Sequence, residues 1–445
     1  MKKVLIITYY WPPNGGSGVQ RWLKFAKYLK DFGWEPVIYT PENPEFISVD
    51  KSLVKDAEGV RVIKTPIWEP YSFYKKFTGQ SKSSSINTAF LKEKKVTSPA
   101  EKISVWIRGN FFIPDARRFW IKPSARFLSE WLMNNKVDVM VSTGPPHSMH
   151  LIAKRVKEKT GIPWLADFRD PWTNIDYAGE LMLTAFAKGV HRNMEISVLK
   201  QSDKVVVIGN EMKNEFERLL SSTGNSNPGA NQKVAVITNG YDEEDLPGSN
   251  MEQDRKFSIV SVGALVRTRN PEILWRALAG LIKDDKTFAE NLEVKLLGKT
   301  DYSVREAIAR NGLEPFIRYI DYLPHEKILS FLQAARLLLL PLNNTPNAKG
   351  IVTGKLFEYL AVKRPVLCIG PEDGDAANIL KETNAGVTIG FNDEGKMREA
   401  ILQHYNQYIS GNLRSNSHGI EKYSRKNLTK ELSEALNQLT LNSKL

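Results

Sequence analysis

Short apolar runs rich in branched residues return along the chain, and several are separated by stretches with the periodicity of an amphipathic helix. In the first half they are KVLIIT, EPVIYT, VDVMVST, IPWLAD and DKVVVI; in the second, KVAVIT, FSIVSVG, LEVKLLG, RLLLLPL and RPVLCIG. A strand buried on both faces reads as a continuous apolar run, and alternation of such runs with helices selects parallel sheets covered on both sides. The first helix shows the pattern: Val19, Trp22, Leu23, Ala26 and Leu29 fall on one face, with Lys24, Lys27 and Lys30 off it. The expected fold class is α/β, with parallel sheets in doubly wound domains.

The alternation weakens once, at residues 243–256, where EEDLPGSNMEQDRK is polar and carries Pro247 and Gly248. This places a linker at 246–256 between a domain over 1–245 and a second over 257–423. The last segment, 424–445, is amphipathic, with Leu428, Leu432, Leu436 and Leu439 at helical spacing, and could cap either domain. A length of 445 residues gives each of two or three domains enough chain for its own core.

No apolar run approaches the ~20 residues of a membrane span, and residues 1–10 lack a signal-peptide layout. The single cysteine, Cys368, lies in the strand-like PVLCIG and reads as an inert core residue; one cysteine excludes an intramolecular disulfide and a cysteine-rich zinc site. A cytoplasmic protein is the plain expectation. The formal charge of +12 is either a lysine-rich solvated surface or an attraction to anionic ligands, nucleic acid or an acidic membrane face. Part of it is local: residues 74–102 hold seven lysines against two glutamates, followed by the aromatic and arginine-rich 106–120. The 74–122 region suits a contact with an anionic membrane surface, and aromatics buried under a loop would give the same letters. A helix-turn-helix, RNA-recognition or zinc pattern is absent, so no nucleic acid is expected, although a basic nucleic-acid-binding protein stays as a further alternative.

Two strand-to-helix junctions carry the chemistry. In WPPNGGSGVQ, Gly15, Gly16 and Gly18 let backbone approach a ligand, and the amides of the following helix favour an anion; a tight turn without ligand is the other reading. The pattern is not the dinucleotide fingerprint, because no glycine stands three residues after Gly18. The second junction is KGIVTGKLFEYLAVKRPVL, with a helix expected over 355–362. It is not a P-loop, since Leu356 stands where Ser or Thr is required. Glu358 sits within an otherwise apolar turn and must be hydrogen-bonded or face a crevice, where ribose hydroxyls would satisfy it; a salt bridge to Lys363 or Arg364 is the alternative.

GKLFEYLAVKRPVL resembles the donor-site helix of family 4 retaining glycosyltransferases, which have the GT-B architecture of two facing Rossmann-like domains. The glycine turn, KQSDKVVVIGNEMK before AVITNGYDEEDL, SIVSVGALVRTRNPEILWRAL and IRYIDYLPHEKILSFLQAARLLLLPL agree with that family in the expected order. IPWLADFRDPW looks like the variant found in bacterial surface-polysaccharide members.

The resemblance implies roles for particular residues. Glu358 matches the second motif glutamate, which binds the donor ribose, and amides around Thr353, Gly354 and Lys355 would receive the diphosphate. Arg269 matches a family lysine; Ala264 stands where the family has arginine, and Arg267 would supply the second charge on the diphosphate. Gly350 occupies the place of the first motif glutamate, eight residues before Glu358; Glu372, Asp373 and Asp375 are the nearest acids that could substitute. In the first domain, Asp167, Arg169 and Asp170 are expected at the cleft end of their strand, or else as an internal Arg–Asp pair. His147, with His150, is a base or acceptor contact or simply part of a strand-exit loop. The catalytic candidates are thus Asp170, Arg169 and His147, and the donor-binding candidates Gly15, Gly16, Arg267, Arg269, Thr353, Gly354, Lys355 and Glu358.

By the same resemblance the reaction moves a sugar from a UDP- or GDP-type donor to an acceptor hydroxyl with retention, needing no metal or other cofactor. The acceptor is expected to be a lipid-linked oligosaccharide met at the inner face of the cytoplasmic membrane, and segment 424–445 would cross back onto the first domain. A catalytically lapsed subunit that binds nucleotide or lipid carrier for a partner enzyme is the main alternative, given Gly350 and Ala264.

Overall fold

A computed structural model describes residues 1–45, 49–69, 99–175, 181–223, 233–246, 248, 252–321, 323 and 325–442. Most of the basic loop, residues 74–98, and part of the expected linker lie outside the described residues. The chain forms two compact units, Met1–Thr238 with Arg425–Leu445, and Asn239–Ser424. The first boundary thus falls earlier than the polar stretch at 243–256 suggests. Tyr241 belongs to the second unit because it bridges Ser424 and its N–H donates to the Tyr423 carbonyl at 3.1 Å.

The first unit holds a sheet of seven strands: β1 (Lys2–Ile7), β2 (Trp34–Pro41), β3 (Arg61–Thr65), β4 (Val139–Gly144), β5 (Trp164–Phe168), β6 (Lys204–Val207) and β7 (Val234–Val236). Their order is β3-β2-β1-β4-β5-β6-β7, every pairing parallel, with Val4 opposite Val139 and Leu5 opposite Val37. Successive side chains alternate between two cores, as a pleated strand dictates. Leu5 and Ile7 pack with Met140, Trp164 and Phe168 on one face. Val4 and Ile6 pack on the other with Trp22, Leu23 and the leucines 428, 432, 436 and 439 of helix Arg425–Asn442. Each such side chain, taken out of water, contributes ~1.5–3 kcal/mol.

The first helix, Ser17–Leu29, buries more than its apolar stripe. Arg21 and Lys24 are also inside, Arg21 against Asp167 and Lys24 on Asp56 at 2.7 Å. Charge marks the solvent face of a helix only where no carboxylate waits beneath it.

The second unit holds β8 (Phe257–Val262), β9 (Leu292–Leu297), β10 (Ile317–Ile320), β11 (Leu337–Pro341), β12 (Val366–Ile369) and β13 (Gly386–Ile389), in the order β10-β9-β8-β11-β12-β13, again all parallel. Ile259, Leu339 and Leu367 fill one face; Val260, Leu338 and Cys368 fill the other. Burial pushes the Cys368 thiol up to about 12, so it packs as an inert side chain. Among the described residues no helix is long and apolar enough to cross a membrane. In each unit the strand order reverses direction once, between β1 and β4 and between β8 and β11, and ligands of doubly wound sheets bind beyond the strand ends at such points.

Candidate functional site

In the first unit the strand ends hold the glycine turn and the residues after β4 and β5. Gly16 precedes helix Ser17–Leu29 with φ +95° and is exposed; Gly15 is buried. A side chain at Gly18 would meet Arg169 Nη1 at 3.0 Å and the Tyr10 ring at 3.1 Å, so the glycine there admits Arg169 rather than leaving open space. Arg169 also donates to the Pro145 carbonyl, and its backbone N–H to that of Gly144. Its charge is partly spent pinning the loop.

Asp167 does not line this end of the sheet. It is wholly buried, 2.8 Å from Arg21 Nη2, and accepts from Trp22 Nε1 at 2.7 Å and Thr143 Oγ1 at 2.8 Å. Burial alone would raise its carboxyl; Arg21 and the two donors outweigh that and hold it below the usual carboxylate range. Arg21 completes its bonds on the carbonyls of Ile237 and Thr238. The internal Arg–Asp pair is real, but its arginine is Arg21 and not Arg169.

Asp170 is exposed. His147 is buried, its ring stacked on Trp172 at 4.5 Å, and His150 lies on Phe168 at 4.3 Å. Burial, then the neighbouring His150, Arg169 and His191, push His147 well down; burial takes His150 to about 3. Both rings are neutral at physiological pH. The start of helix Ser148–Thr160 is occupied by Asp115, which accepts from the Ser148 N–H at 2.9 Å and its hydroxyl at 2.8 Å. An anion-binding terminus is thereby closed by the chain itself.

The second unit has the opposite arrangement at its switch point. Helix Gly354–Ala361 begins after Thr353 with no side-chain cap, and Thr353 Oγ1 is buried without a hydrogen-bond partner. Tyr359 fixes the helix over the crossing: its hydroxyl accepts the Val262 N–H at 3.2 Å and donates to the Leu339 carbonyl at 3.3 Å. Lys355 of this helix feels two charged groups there: Glu358 from the same helix and Arg269 from the turn Arg267–Arg269. Arg269 Nε donates to Asn343 Oδ1 at 3.0 Å and its Nη1 to the Ala264 carbonyl at 3.3 Å, while the Asn344 N–H donates to Thr268. Arg267 is exposed on the same turn.

Lys355 is held below its ordinary value, at about 7, first by burial and then by Arg269, with Glu358 opposing. The structure therefore gathers Arg269, Thr353, Gly354, Lys355 and Glu358 into one cradle, whereas Gly15 and Gly16 belong to the other unit. Asn343, which steers Arg269, escaped the sequence reading; a polar pair directly after the apolar run of β11 was its only signal. Gly350 ends a turn, Ala348–Gly350, and the nearby acids are engaged: Glu372 with Lys396 and Asp373 with Lys349.

Residues 256–407 match the family model of glycosyl transferases group 1. No curated protein sequence matches the chain. Among solved structures, sucrose-phosphate synthase from Thermosynechococcus elongatus is 12% identical with TM-score 0.61, covering 99% of this chain and 100% of that one. HepE of Anabaena, solved in complex with UDP-glucose, is 12% identical with TM-score 0.60 over 98% and 100%. WaaG, a glycosyltransferase involved in lipopolysaccharide biosynthesis, is 13% identical with TM-score 0.56 over 97% and 99%. The chain has the GT-B fold, and with the family match over 256–407 this supports a glycosyltransferase of GT-B type.

Proposed function

We propose that the protein is a retaining, metal-independent glycosyltransferase that moves a sugar from a UDP- or GDP-type donor to an acceptor hydroxyl. The observation that carries this reading is the cradle at the β8–β11 crossing, where Arg269, Lys355 and Glu358 meet at an uncapped helix start inside the matched segment. Glu358 takes the ribose hydroxyls. Arg269, Lys355 and the amides from Thr353 take the diphosphate, neutralising the charge that grows on the leaving oxygen. The departing phosphate then helps deprotonate the acceptor, and no side-chain nucleophile is needed. In the first unit, Asp170, exposed and next to Arg169 in the chain, and His147, a buried neutral ring, are the candidates for meeting the acceptor.

The acceptor is a lipid-linked oligosaccharide of bacterial surface-polysaccharide or glycoconjugate assembly, met at the cytoplasmic face of the membrane. Among described residues of the 74–122 region, Ile103, Trp106, Ile107 and Phe111 of helix Pro99–Phe111 are exposed, and they support peripheral contact with anionic lipid. Sedimentation with anionic and with neutral vesicles tests this; equal recovery from both refutes it.

The donor site is tested by thermal shift against nucleoside diphosphates and nucleotide sugars, wild type beside Glu358→Ala. A ligand at 100 times Kd adds about 2.7 kcal/mol to native stability. A shift with UDP or GDP compounds that is lost in the variant supports the assignment; no shift with any of them at millimolar concentration overturns it. A second reading, a lapsed subunit that binds donor for a partner enzyme, is favoured by one observation. Gly350 offers no carboxylate, and Glu372 and Asp373 are paired elsewhere. Nucleotide binding with neither transfer nor slow donor hydrolysis would establish it.

A further inference from the structure

The position of the Lys355 amine is not set by any bond of its own. Among the described residues it has neither a hydrogen-bond nor an ion-pair partner. The side chain leaves helix Gly354–Ala361 and lies along the end of β8, over Gly263. A Cβ at Gly263 would stand 2.3 Å from Lys355 Nζ and 2.6 Å from its Cε, whereas carbon atoms in contact keep about 3.5–4.0 Å. The lysine therefore occupies the room that this glycine leaves. Gly263 has φ +91°, and Gly298, at the end of β9, has φ +109°; both lie in the region that favours glycine. The two are layered: a Cβ at Gly298 would press on the Gly263 carbonyl oxygen at 3.2 Å and on its Cα at 3.3 Å. The Gly263 N–H donates to the Leu297 carbonyl and the Gly298 N–H to that of Ile320, each at 2.7 Å. Main-chain bonds thus hold a glycine floor at the ends of β8 and β9, and the lysine lies on it. One residue on, the Ala264 carbonyl accepts from Arg269 Nη1 at 3.3 Å. Amine and guanidinium are thereby set against consecutive residues, at the β8–β11 crossing.

We propose that Gly263 is the positioning residue of the diphosphate site: by carrying no side chain, and with Gly298 packed against it, it lays the Lys355 amine beside Arg269 so that both can donate to one diphosphate. This rests on the reading of the cradle as the donor site. Lysine and arginine offer only donors, and bonds from such groups to phosphate depend on geometry as well as charge. A side chain at position 263 meets the far end of a flexible lysine rather than main chain, so it displaces the amine before it disturbs the sheet. At Gly298 the same addition would press on main chain, and the strand end itself would have to move. Gly263 is therefore the position at which the lysine can be moved with Lys355 itself unaltered.

A double-mutant cycle on the full-length protein tests this, with UDP and GDP affinities measured by calorimetry for wild type, Gly263→Ala, Lys355→Ala and the two combined. Gly263→Ala should weaken binding by about 10- to 100-fold, the loss of a hydrogen bond between charged groups. In the Lys355→Ala background the same change should cost less than about twofold, because no amine is left to displace. A role confined to the turn would not produce that difference. Gly263→Asn supplies a second variant, since asparagine tolerates positive φ better than alanine, and thermal unfolding without ligand shows which variants are folded. Equal losses in both backgrounds, or unfolding of both Gly263 variants whether or not Lys355 is present, overturn the proposal: the glycine then serves the turn alone. Undiminished affinity in Gly263→Ala and Gly263→Asn overturns it as well, and each of these results leaves the donor site standing. No binding of any nucleoside diphosphate by the wild type overturns the donor-site reading, and this inference with it.

Discussion

Replacing Asp167 by Asn would strand a guanidinium that has no route to water. Arg21 is wholly buried between Asp167 and the carbonyls of Ile237 and Thr238. The amide keeps an oxygen for Trp22 or Thr143, so the change isolates the lost charge. Removing one partner of a buried pair costs about 3–5 kcal/mol, a large share of a typical unit's stability of about 5–15 kcal/mol. Urea denaturation of Asp167→Asn should show that loss; a midpoint equal to wild type would mean Arg21 finds another counter-ion. The histidines behind Arg169 give a second prediction. His147 and His150 are neutral when folded and titrate near 6.5 when unfolded, so the unfolded chain binds more protons below that value. Stability is full above pH 6.5 and falls as pH drops towards the folded value of about 3 for His150. The slope is up to about 1.4 kcal/mol per pH unit for each ring. His191 and His404 are displaced in the same direction and add to it. Melting temperatures from pH 7 to 5 test this, and His147→Phe, which keeps the stack on Trp172, should shed one ring's share. That these residues lie on or just after β4 and β5 was legible; their burial and their partners were not. An aspartate buried against an arginine 146 positions away looks, in sequence, the same as one facing a ligand.

Helix Arg425–Asn442 shows what an element's pattern can and cannot say. Its leucine spacing marks one apolar face, and the structure puts that face on the first unit's core with Trp22 and Leu23. Leu436 is wholly buried and Leu441 is 64% exposed. Leu436→Ala should therefore cost about 2–5 kcal/mol, while Leu441→Ala stays within about 0.5, both read from denaturation midpoints. Similar costs at the two positions would mean the helix is docked on another face. The central strands could be read because burial on both sides makes them uniformly apolar. β3, β10 and β13 escaped, being edge strands that each expose one or two residues and break the apolar run with polar or small letters, as in RVIKT and GVTI. The cradle was legible where a motif is continuous, from Thr353 to Glu358. It was not where a tertiary partner decides: neither Asn343 under Arg269 nor Asp115 on the start of Ser148–Thr160 follows from local pattern.

The chain leaves the first unit at Thr238 and returns at Arg425, so the second unit is an uninterrupted stretch inserted into the first. Its two ends pair, Tyr241 bridging Ser424, and it owns two apolar cores on the faces of its own sheet. The cradle of Arg269, Asn343, Lys355 and Glu358 also lies wholly within it. Residues 239–424 expressed alone should therefore fold cooperatively and, if the donor assignment holds, retain nucleoside diphosphate binding. The first unit has no such independence as a single stretch. Without Arg425–Asn442 it would expose the surfaces that meet Leu428, Leu432, Leu436 and Leu439, and a contiguous apolar face of that kind promotes aggregation. Because Tyr241 and Ser424 are neighbours, three residues on one side and one on the other separate Thr238 from Arg425, a gap a short glycine–serine linker can span. Fragment 1–238 should be insoluble or molten, whereas 1–238 joined through such a linker to 425–445 should be soluble, monomeric and cooperative in thermal unfolding. A soluble, cooperatively folded 1–238 would show that the terminal helix is an accessory, and the cost assigned above to Leu436→Ala would have to shrink accordingly.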